Sequence, residues 1–246
     1  MKLLLKLLPI LFFSLNTYAQ LGDTKYEFGL NAGTWIYQGD LSPSRLGSFK
    51  TPRIALGIHA HRIINDAFGI RAQFWGGSLK GDEARYDDPE YRKERAFEFH
   101  SPLWELSAQL TWNFLGGNYK DRGLSTYLFA GAGIAFIDVH RDASRINPAY
   151  FDPETATVWA GLAADQAHDP PNTIPVIPLG GGAKYFFSSR LGVQLEASYR
   201  FTTTDYLDGF SEAVNPKYKD SYMNYSIGVL YRTGKKDRMG CPAVKF

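Results

Sequence analysis

The sequence predicts an all-β protein: an eight-stranded antiparallel transmembrane β-barrel of the outer-membrane type. Three observations predict this fold. Eight segments alternate between apolar and polar residues, the connections between them alternate between short and long, and the chain begins with an export signal. Alternation with a period of two is typical of strands, and about ten residues suffice for a tilted strand to cross a bilayer.

The N-terminus has the features of a secretory signal peptide. Lys2 and Lys6 precede a short apolar run, and Ala19 offers a small residue for cleavage. The apolar run is shorter than the ~20 residues that a membrane-spanning helix needs. We therefore predict that residues 1–19 are removed on export, that residues 20–234 form the barrel, and that residues 235–246 form a periplasmic C-terminal tail.

Composition excludes several classes of function. The chain has 27 Lys and Arg residues against 25 Asp and Glu, and removal of the signal peptide takes away Lys2 and Lys6. The balanced charge gives no basic field for nucleic acid, so we expect no nucleic-acid partner. The single cysteine, Cys241, excludes an internal disulfide framework and a cysteine-based zinc site. We expect no cofactor.

The predicted strands follow one another at roughly even spacing. In the seventh strand Leu195 and Tyr199 lie on the apolar face, and Glu196 and Arg200 lie on the polar face. The fifth strand is apolar on both faces, which leaves its register open. The eight strands cover residues 26–37, 53–63, 68–79, 97–114, 125–139, 176–187, 191–201 and 222–232.

The connections between these strands differ in length in a regular order. Strands two and three, four and five, and six and seven are joined by short turns rich in Gly, Asn, Asp and Ser. The other four connections are longer, which is typical of outer-membrane barrels with periplasmic turns and long outer loops. An even number of strands returns the chain to its starting side, so both termini are expected in the periplasm.

The polar faces of the strands would point into the barrel. An eight-stranded barrel is just wide enough for side chains to fill, so buried charges there must be paired. Glu196 and Arg200 lie about 13 Å apart on one strand and cannot pair with each other. Each is expected to pair with a neighbouring strand, with Arg71 and Glu105 as the candidate partners. The alternative of a proton or solute path is disfavoured because no space remains. The expected lumen network comprises Arg71, Gln73, Glu105, Gln109, Lys184, Glu196 and Arg200.

Aromatic residues near the strand ends suit the interfacial belts of a membrane barrel, and the apolar faces suit contact with outer-membrane lipid. The expected belt residues are Trp104, Trp112, Phe114, Tyr199, Phe201 and Tyr231.

No pattern in the sequence supports catalysis. His59 and His61 lie about 7 Å apart on one strand face, but a third metal ligand is not visible in the sequence. The motifs G-x-S-x-G and H-E-x-x-H and a phosphate-binding glycine loop do not occur. We predict that the protein is not an enzyme and has no catalytic or metal site.

The longest connection, residues 140–175, is rich in proline. Residues 155–166 are predicted to form one or two helical turns around Trp159 and Leu162. Two interpretations of an exposed Trp159 stay open: packing over the mouth of the barrel, or contact with a partner.

Several segments resemble one family. The first strand carries "YEFGLNAGTWIYQGDL", and the seventh continues into "YRFTTTDYLDGFS", which includes Tyr206 and Asp208 as an outer-loop motif. Together with the glycine-rich sixth strand, these segments resemble the PorG-like outer-membrane barrels of the Bacteroidota type IX secretion system or close paralogues. The resemblance covers essentially the whole mature chain.

That resemblance implies a structural role. In the family the barrel anchors or organises the periplasmic ring of the secretion machine, which contains PorK-like lipoprotein and PorN-like subunits. The alternative is a free-standing small barrel, OmpX-like or OmpA-like, whose outer loops bind a ligand or a host. A lipid-A-modifying enzyme is a third, less favoured candidate.

The predicted tail carries the candidate periplasmic contacts Lys235, Lys236, Arg238 and Cys241. An odd cysteine in an exported chain indicates either an intermolecular disulfide or a spare thiol. Both alternatives stay open at the level of the sequence.

Overall fold

A closed barrel of eight long strands forms the body of the protein. The computed structural model describes residues 25–43, 48–153, 156–215 and 219–233. The barrel strands are β1 (Tyr26–Gln38), β2 (Arg53–Ile63), β3 (Phe68–Asp82), β4 (Glu98–Trp112), β5 (Gly123–Ile137), β7 (Thr173–Phe186), β8 (Leu191–Thr202) and β9 (Ser221–Thr233), and a short strand β6 (His140–Asp142) pairs with β4.

Every neighbouring pair of strands is antiparallel, and the first strand closes the barrel by pairing with the last. β1 and β9 are in register from Tyr26 opposite Thr233 to Gln38 opposite Ser221. β3 and β4 also pair, so the sheet has no free edge among the eight strands. The predicted fold class is confirmed, and both described ends of the chain lie at the end of the barrel that carries the short turns.

The outer surface of the barrel is apolar, and its densely packed interior contains buried polar and charged side chains. Along each strand exposed and buried side chains alternate, and the exposed ones are mainly apolar. Ile54 is 78% exposed and Leu30 is 65% exposed, whereas the charged residues Glu105 and Arg200 are fully buried. This inversion of the usual soluble pattern is typical of a transmembrane barrel whose outer surface meets lipid.

Glycines on the inner face make room for large side chains on adjacent strands. A Cβ atom at Gly57 would lie only 2.4 Å from the indole of Trp75, and one at Gly182 would lie 2.9 Å from the hydroxyl oxygen of Tyr127. The large side chains therefore lie directly over bare backbone. The narrow lumen holds rings as well as charged groups because of this pairing of large and small residues.

The predicted strand boundaries agree with the structure to within three residues at each end. The fifth strand, whose register the sequence left open, turns Tyr127, Phe129 and Ile137 inward and Leu128 and Ile134 outward. β3 and β4 remain paired as far as Asp82 opposite Glu98, so this hairpin extends beyond the last β1–β2 pair, Trp35 opposite Arg53.

The long connections fold into a cap on the end of the barrel opposite the short turns. A 3₁₀ turn (Glu83–Arg85) and helix α1 (Glu90–Arg95) join β3 to β4, and neither was predicted from the sequence. Helix α2 (Val158–Ala167) lies in the longest connection, where one or two helical turns were expected. In the described part of the chain, neither helix has the length and apolar character needed to cross a membrane.

Candidate functional site

The lumen nearest the short turns is closed by a charge cluster around Glu27. Arg232 donates to one carboxylate oxygen of Glu27 from Nε at 3.0 Å, and Lys184 donates to the other at 2.8 Å. Nδ1 of His61 lies 3.0 Å from the same second oxygen. The guanidinium of Arg232 also covers the ring of Phe186 at 3.7 Å. Four strands therefore meet at one carboxylate.

The middle of the lumen holds a second ion pair. Arg71 on β3 donates to Glu196 on β8 at 2.5 Å and, through Nε, to Gln109 at 2.8 Å. The hydroxyl of Tyr127 donates to the same oxygen of Glu196 at 2.8 Å, and Arg71 lies 4.3 Å from the ring of Phe129. The pair spans the barrel, because β3 and β8 are not neighbours in the sheet.

A third ion pair lies further toward the long loops. Arg200 donates from Nε to Glu105 at 3.1 Å, and the hydroxyl of Tyr222 donates to the same oxygen at 2.8 Å. All three side chains are fully buried. Arg200 also bonds to Ser198 on its own strand. Arg71 and Glu105, the residues suggested by the sequence, are therefore the partners present, but the expectation that they lie on strands neighbouring β8 was wrong, because both pairs reach across the lumen to β3 and β4.

Between the Arg200–Glu105 pair and the long loops the lumen becomes apolar, which was not predicted from the sequence. Trp35 and Trp75 are fully buried with ring centroids 6.5 Å apart, and Tyr222 packs edge-on against Trp35 at 5.6 Å. The lumen residues expected from the sequence are all polar, whereas the inward positions of β1 and β3 change from polar to aromatic toward the loops. The apolar plug comprises Trp35, Tyr37, Leu41, Ala55, Trp75, Leu79, Phe97, Phe99, Leu103, Ala135, Ile137, Val158, Leu162, Ile174, Val176, Leu207, Phe210, Ala213 and Tyr222.

All five charged residues expected in the lumen lie there, namely Arg71, Glu105, Lys184, Glu196 and Arg200. Their contribution to function stays a prediction. The network expected from the sequence lacked Glu27, His61 and Arg232, although Glu27 is the partner of Lys184. Glu27 and Arg232 occupy the polar positions of their strands, so the same alternation would have found them.

The two strand histidines also belong to the lumen. Nδ1 of His59 lies 2.9 Å from the amide of Asn31, and Nε2 of His61 lies 2.8 Å from the hydroxyl of Thr111. Within residues 25–43, 48–153, 156–215 and 219–233, no group of three or more His, Cys, Asp or Glu side chains is placed to hold a metal ion.

The outer-loop motif lies at the mouth of the barrel. Asp208 is fully buried, and the hydroxyl oxygen of Tyr37 lies 2.6 Å from Asp208 and 2.6 Å from Asp220. A phenol can donate only one hydrogen, so one of the two carboxyl groups must itself carry a proton to bond to this oxygen. Burial raises the pKa of both carboxyl groups well above the ordinary value. Tyr206, the other residue of the motif, stacks on His168 with ring centroids 4.1 Å apart.

Two further acidic groups lie near this cluster. Partial burial and, to a smaller extent, the nearby carboxylate of Asp205 raise the pKa of Asp40 to about 6. Partial burial likewise raises the pKa of Asp205 to about 6. Gly39, next to Asp40 in the chain, lies against the cluster, since a Cβ there would meet Asp220 at 1.9 Å. The mouth of the barrel therefore concentrates acidic groups that bind protons more tightly than usual.

Ion pairs and backbone bonds hold the cap together. Glu83, fully buried, accepts from Arg95 at 2.5 Å and 2.8 Å and from Arg92 at 3.2 Å. Asp165 of α2, also fully buried, accepts the backbone N–H groups of residues 211–213 at 2.9–3.2 Å. Nη1 of Arg141 donates to the carbonyl of Gly209 at 2.9 Å. The bonds of Asp165 and Arg141 connect the β5–β7 segment to the β8–β9 loop, and those of Glu83 brace the β3–β4 loop internally.

Trp159 has a defined place in this cap. Its indole N–H donates to the carbonyl of Phe151 at 3.0 Å, and the ring packs against the apolar plug. Of the two interpretations that the sequence left open for this side chain, packing over the mouth of the barrel is therefore the arrangement observed. The candidate tail contacts Lys235, Lys236, Arg238 and Cys241, like the signal peptide, lie outside the described residues.

Comparison with solved structures finds small outer-membrane barrels with little sequence similarity. Neisserial surface protein A is 14% identical, with a TM-score of 0.48 over 84% of this chain and 96% of that chain. Ail, the attachment invasion locus protein of Yersinia pestis, is 8% identical, with a TM-score of 0.44 over 86% and 99%. OprG from Pseudomonas aeruginosa is 11% identical, with a TM-score of 0.42 over 87% and 97%.

Comparison with curated proteins finds no match. Among protein families, residues 2–234 match the one described as "Domain of unknown function (DUF6089)". This match covers the whole barrel, from before β1 to the end of β9, and the chain therefore belongs to the DUF6089 family.

Proposed function

We propose that this protein is a closed outer-membrane barrel that anchors or organises the periplasmic ring of a type IX, gliding-associated secretion machine. The observation that carries the proposal is the filled lumen. Three buried ion-pair levels and an apolar plug occupy the barrel from the short turns to the loops. A barrel without a channel acts through its surfaces, which favours binding and assembly over transport.

The outer surface supports membrane insertion. Apolar side chains cover the outward positions of all eight strands, with Trp104, Trp112 and Tyr231 among them. In the proposed orientation the short turns and both termini lie in the periplasm and the cap lies outside, which is the usual arrangement of such barrels. This orientation places the tail on the side where a periplasmic ring would assemble.

The proposed partners are a PorK-like ring lipoprotein and a PorN-like ring subunit, as the resemblance to PorG-like barrels implies. Residues 235–246 would make the contact, with Lys235, Lys236 and Arg238 attracting an acidic surface. Cys241 lies between Gly240 and Pro242, a context that favours a turn and an accessible thiol. The periplasm is oxidising, so a disulfide to a ring cysteine would persist there.

Chemical cross-linking in intact cell envelopes tests this proposal. Affinity capture of the tagged wild-type chain should recover a periplasmic lipoprotein and a ring subunit, and deletion of residues 235–246 should abolish their recovery. An equal yield of barrel from the two strains controls for folding. Recovery of no periplasmic protein above an untagged strain would contradict the anchoring role.

Non-reducing electrophoresis of envelopes treated with a thiol blocker tests the disulfide separately. The wild type should give a heavier band that disappears with reductant and in Cys241→Ser. A wild type that migrates only as a monomer would exclude the covalent link, and the tail would then bind through its charges alone.

A second candidate function rests on the cap. The long loops are held by buried bonds such as Glu83 with Arg95 and Asp165 with residues 211–213, so they present a defined surface. That order favours a free-standing barrel whose outer face binds a ligand or a host surface. The envelope experiment separates the two candidates, because a free-standing barrel would recover no periplasmic ring proteins.

A further inference from the structure

The short-turn end of the barrel carries a rim of exposed arginines interleaved with aromatic rings. Arg122 lies just before β5, Arg190 lies just before β8, and Arg62 lies one residue before the end of β2. All three are exposed. Among the described residues, no carboxylate lies within ion-pairing distance of any of them.

The strand register places outward aromatic residues between these arginines. Arg62 is directly opposite Tyr26 of β1, which pairs in turn with the last residue of β9. Tyr231 of β9 is opposite Leu191, the residue after Arg190. Phe187, 50% exposed, follows β7 between Arg122 and Arg190. The rim therefore runs without interruption over six adjacent strands, β5, β7, β8, β9, β1 and β2.

The two acidic residues of the described short turns have other partners. Asp66 accepts the backbone N–H of Gly117 at 2.9 Å, and Asp121 lies 3.6 Å from Lys25. The three guanidinium groups therefore meet the surroundings of the barrel at the level where its apolar belt ends.

The charge of the chain is distributed unevenly between the two ends. The four long connections contain ten Lys and Arg residues against sixteen Asp and Glu. The three short turns and the two terminal segments after the signal peptide contain eight Lys and Arg residues against four Asp and Glu. An anionic layer would therefore be attracted to the short-turn end and repelled from the loop end.

We propose that the arginine rim, Arg62, Arg122 and Arg190 with Tyr26, Phe187 and Tyr231, binds the phosphate groups of anionic phospholipids in the leaflet at the short-turn end. Guanidinium groups form paired hydrogen bonds to phosphate, and aromatic rings at an interface fix the depth of a membrane protein. The occupant is lipid rather than an acidic protein, because the rim is continuous with the lipid-facing belt and its arginines lie on or beside outward-facing strand ends.

The rim would fix the vertical position and the tilt of the barrel in the bilayer. Each basic residue near an anionic membrane surface raises binding by about fivefold, so three arginines give a measurable preference even after screening by salt. This inference concerns the barrel alone and holds whether or not a periplasmic ring is its partner.

Native mass spectrometry of the purified barrel from mixed nanodiscs of phosphatidylglycerol and phosphatidylcholine tests the proposal. The wild type should retain phosphatidylglycerol in preference to phosphatidylcholine. In the triple variant Arg62→Gln, Arg122→Gln, Arg190→Gln, the ratio of retained phosphatidylglycerol to phosphatidylcholine should fall by about tenfold or more. The matched control Lys50→Gln, Arg85→Gln, Lys93→Gln removes the same charge from exposed positions at the loop end and should keep the wild-type preference.

Two outcomes would overturn the proposal: a wild type without preference for the anionic lipid, or an equal loss of preference in both triple variants. Heat-modifiable electrophoretic mobility checks that each variant forms a barrel. Should the triple variant fail to fold, the three single substitutions give the same comparison, each expected to lose a part of the preference. Because the measurement contains no other protein, its result is independent of the proposed ring partner.

Discussion

Glu105 and Arg200 show how much depends on single residues in this lumen. Both are fully buried, and Glu105 accepts from Arg200 at 3.1 Å and from Tyr222 at 2.8 Å. A buried charge that loses its partner is left without solvation, so the loss costs more than the pair itself contributes. The lumen charges are therefore expected to determine whether the barrel is stable.

The substitution Glu105→Ala should lower the free energy of unfolding by about 3–5 kcal/mol, because it leaves the guanidinium of Arg200 buried without a counter-charge. Urea unfolding of the refolded barrel, followed by heat-modifiable mobility, measures the change. As a control, Asp87→Ala removes an exposed ion pair with Lys93 and should cost at most about 1 kcal/mol. A Glu105→Ala barrel that unfolds at the wild-type urea concentration would show that this pair is solvated.

The carboxyl groups at the mouth should make the cap sensitive to pH. The raised pKa of Asp208 and Asp220 means that the folded state binds their protons more tightly than the unfolded state. For Asp40 and Asp205, with pKa about 6, the same stabilisation is complete below about pH 4. It is lost as the pH rises through about 6, so the cap should loosen toward neutral pH.

The predicted direction of the pH dependence can be tested by hydrogen exchange. The protection factors of residues 203–215 are measured at about pH 5 and about pH 8. Protection should be lower at the higher pH in the wild type. In Asp208→Asn the pH dependence should be smaller, because one titrating group is gone while the amide still reaches Tyr37. Protection that rises with pH in the wild type would contradict the shared-proton arrangement.

Among the structural elements, the barrel strands were more predictable from the sequence than the cap and the apolar plug. The alternation of residues such as Leu195 and Glu196 located the strands that have one apolar and one polar face, because one face meets lipid and the other meets the lumen. The register of β5 could not be found this way, since its inward face carries Tyr127 and Phe129 and its outward face carries Leu128. In the structure, Phe129 and Tyr127 pack over Gly180 and Gly182 of β7, which identifies the inward face.

The cap and the plug were not predictable for a different reason. Helix α1 is short and forms through its contacts, since its Arg95 bonds to the fully buried Glu83. Trp35 and Trp75 lie on the same strand faces as the lumen charges, so alternation alone cannot distinguish an aromatic plug from a polar network. Both features depend on contacts in the folded protein rather than on a local pattern of residues.

Asp165 is expected to hold α2 on the β8–β9 loop. The substitution Asp165→Ala leaves the backbone N–H groups of residues 211–213 without their acceptor. Limited proteolysis of the intact barrel should then cut both loops at least several-fold faster, while the barrel strands stay protected. The exposed Asp169→Ala serves as the matched control and should be cut at the wild-type rate. Equal rates for all three proteins would mean that the cap is held by apolar packing alone.

At the scale of the whole molecule, the structure is a barrel with a closed interior and two chemically different ends. The loop end carries the acidic mouth and the ordered cap, and the short-turn end carries the arginine rim and both described chain ends. Alternating connection lengths in the sequence already distinguished these ends. In the proposed orientation, this separation would let the two ends of the barrel contact different layers of the cell envelope.

Single-channel recording in planar lipid bilayers tests the central claim, that the lumen is filled and the protein acts through its surfaces. Insertion is verified on the same preparation by heat-modifiable mobility and by protease protection of the strands. Lys184, Arg71 and Arg200 pair across the lumen with Glu27, Glu196 and Glu105, and Trp35 and Trp75 lie above them. The barrel should therefore give no conductance steps. Regular, reproducible steps of one size from the inserted wild type would contradict it.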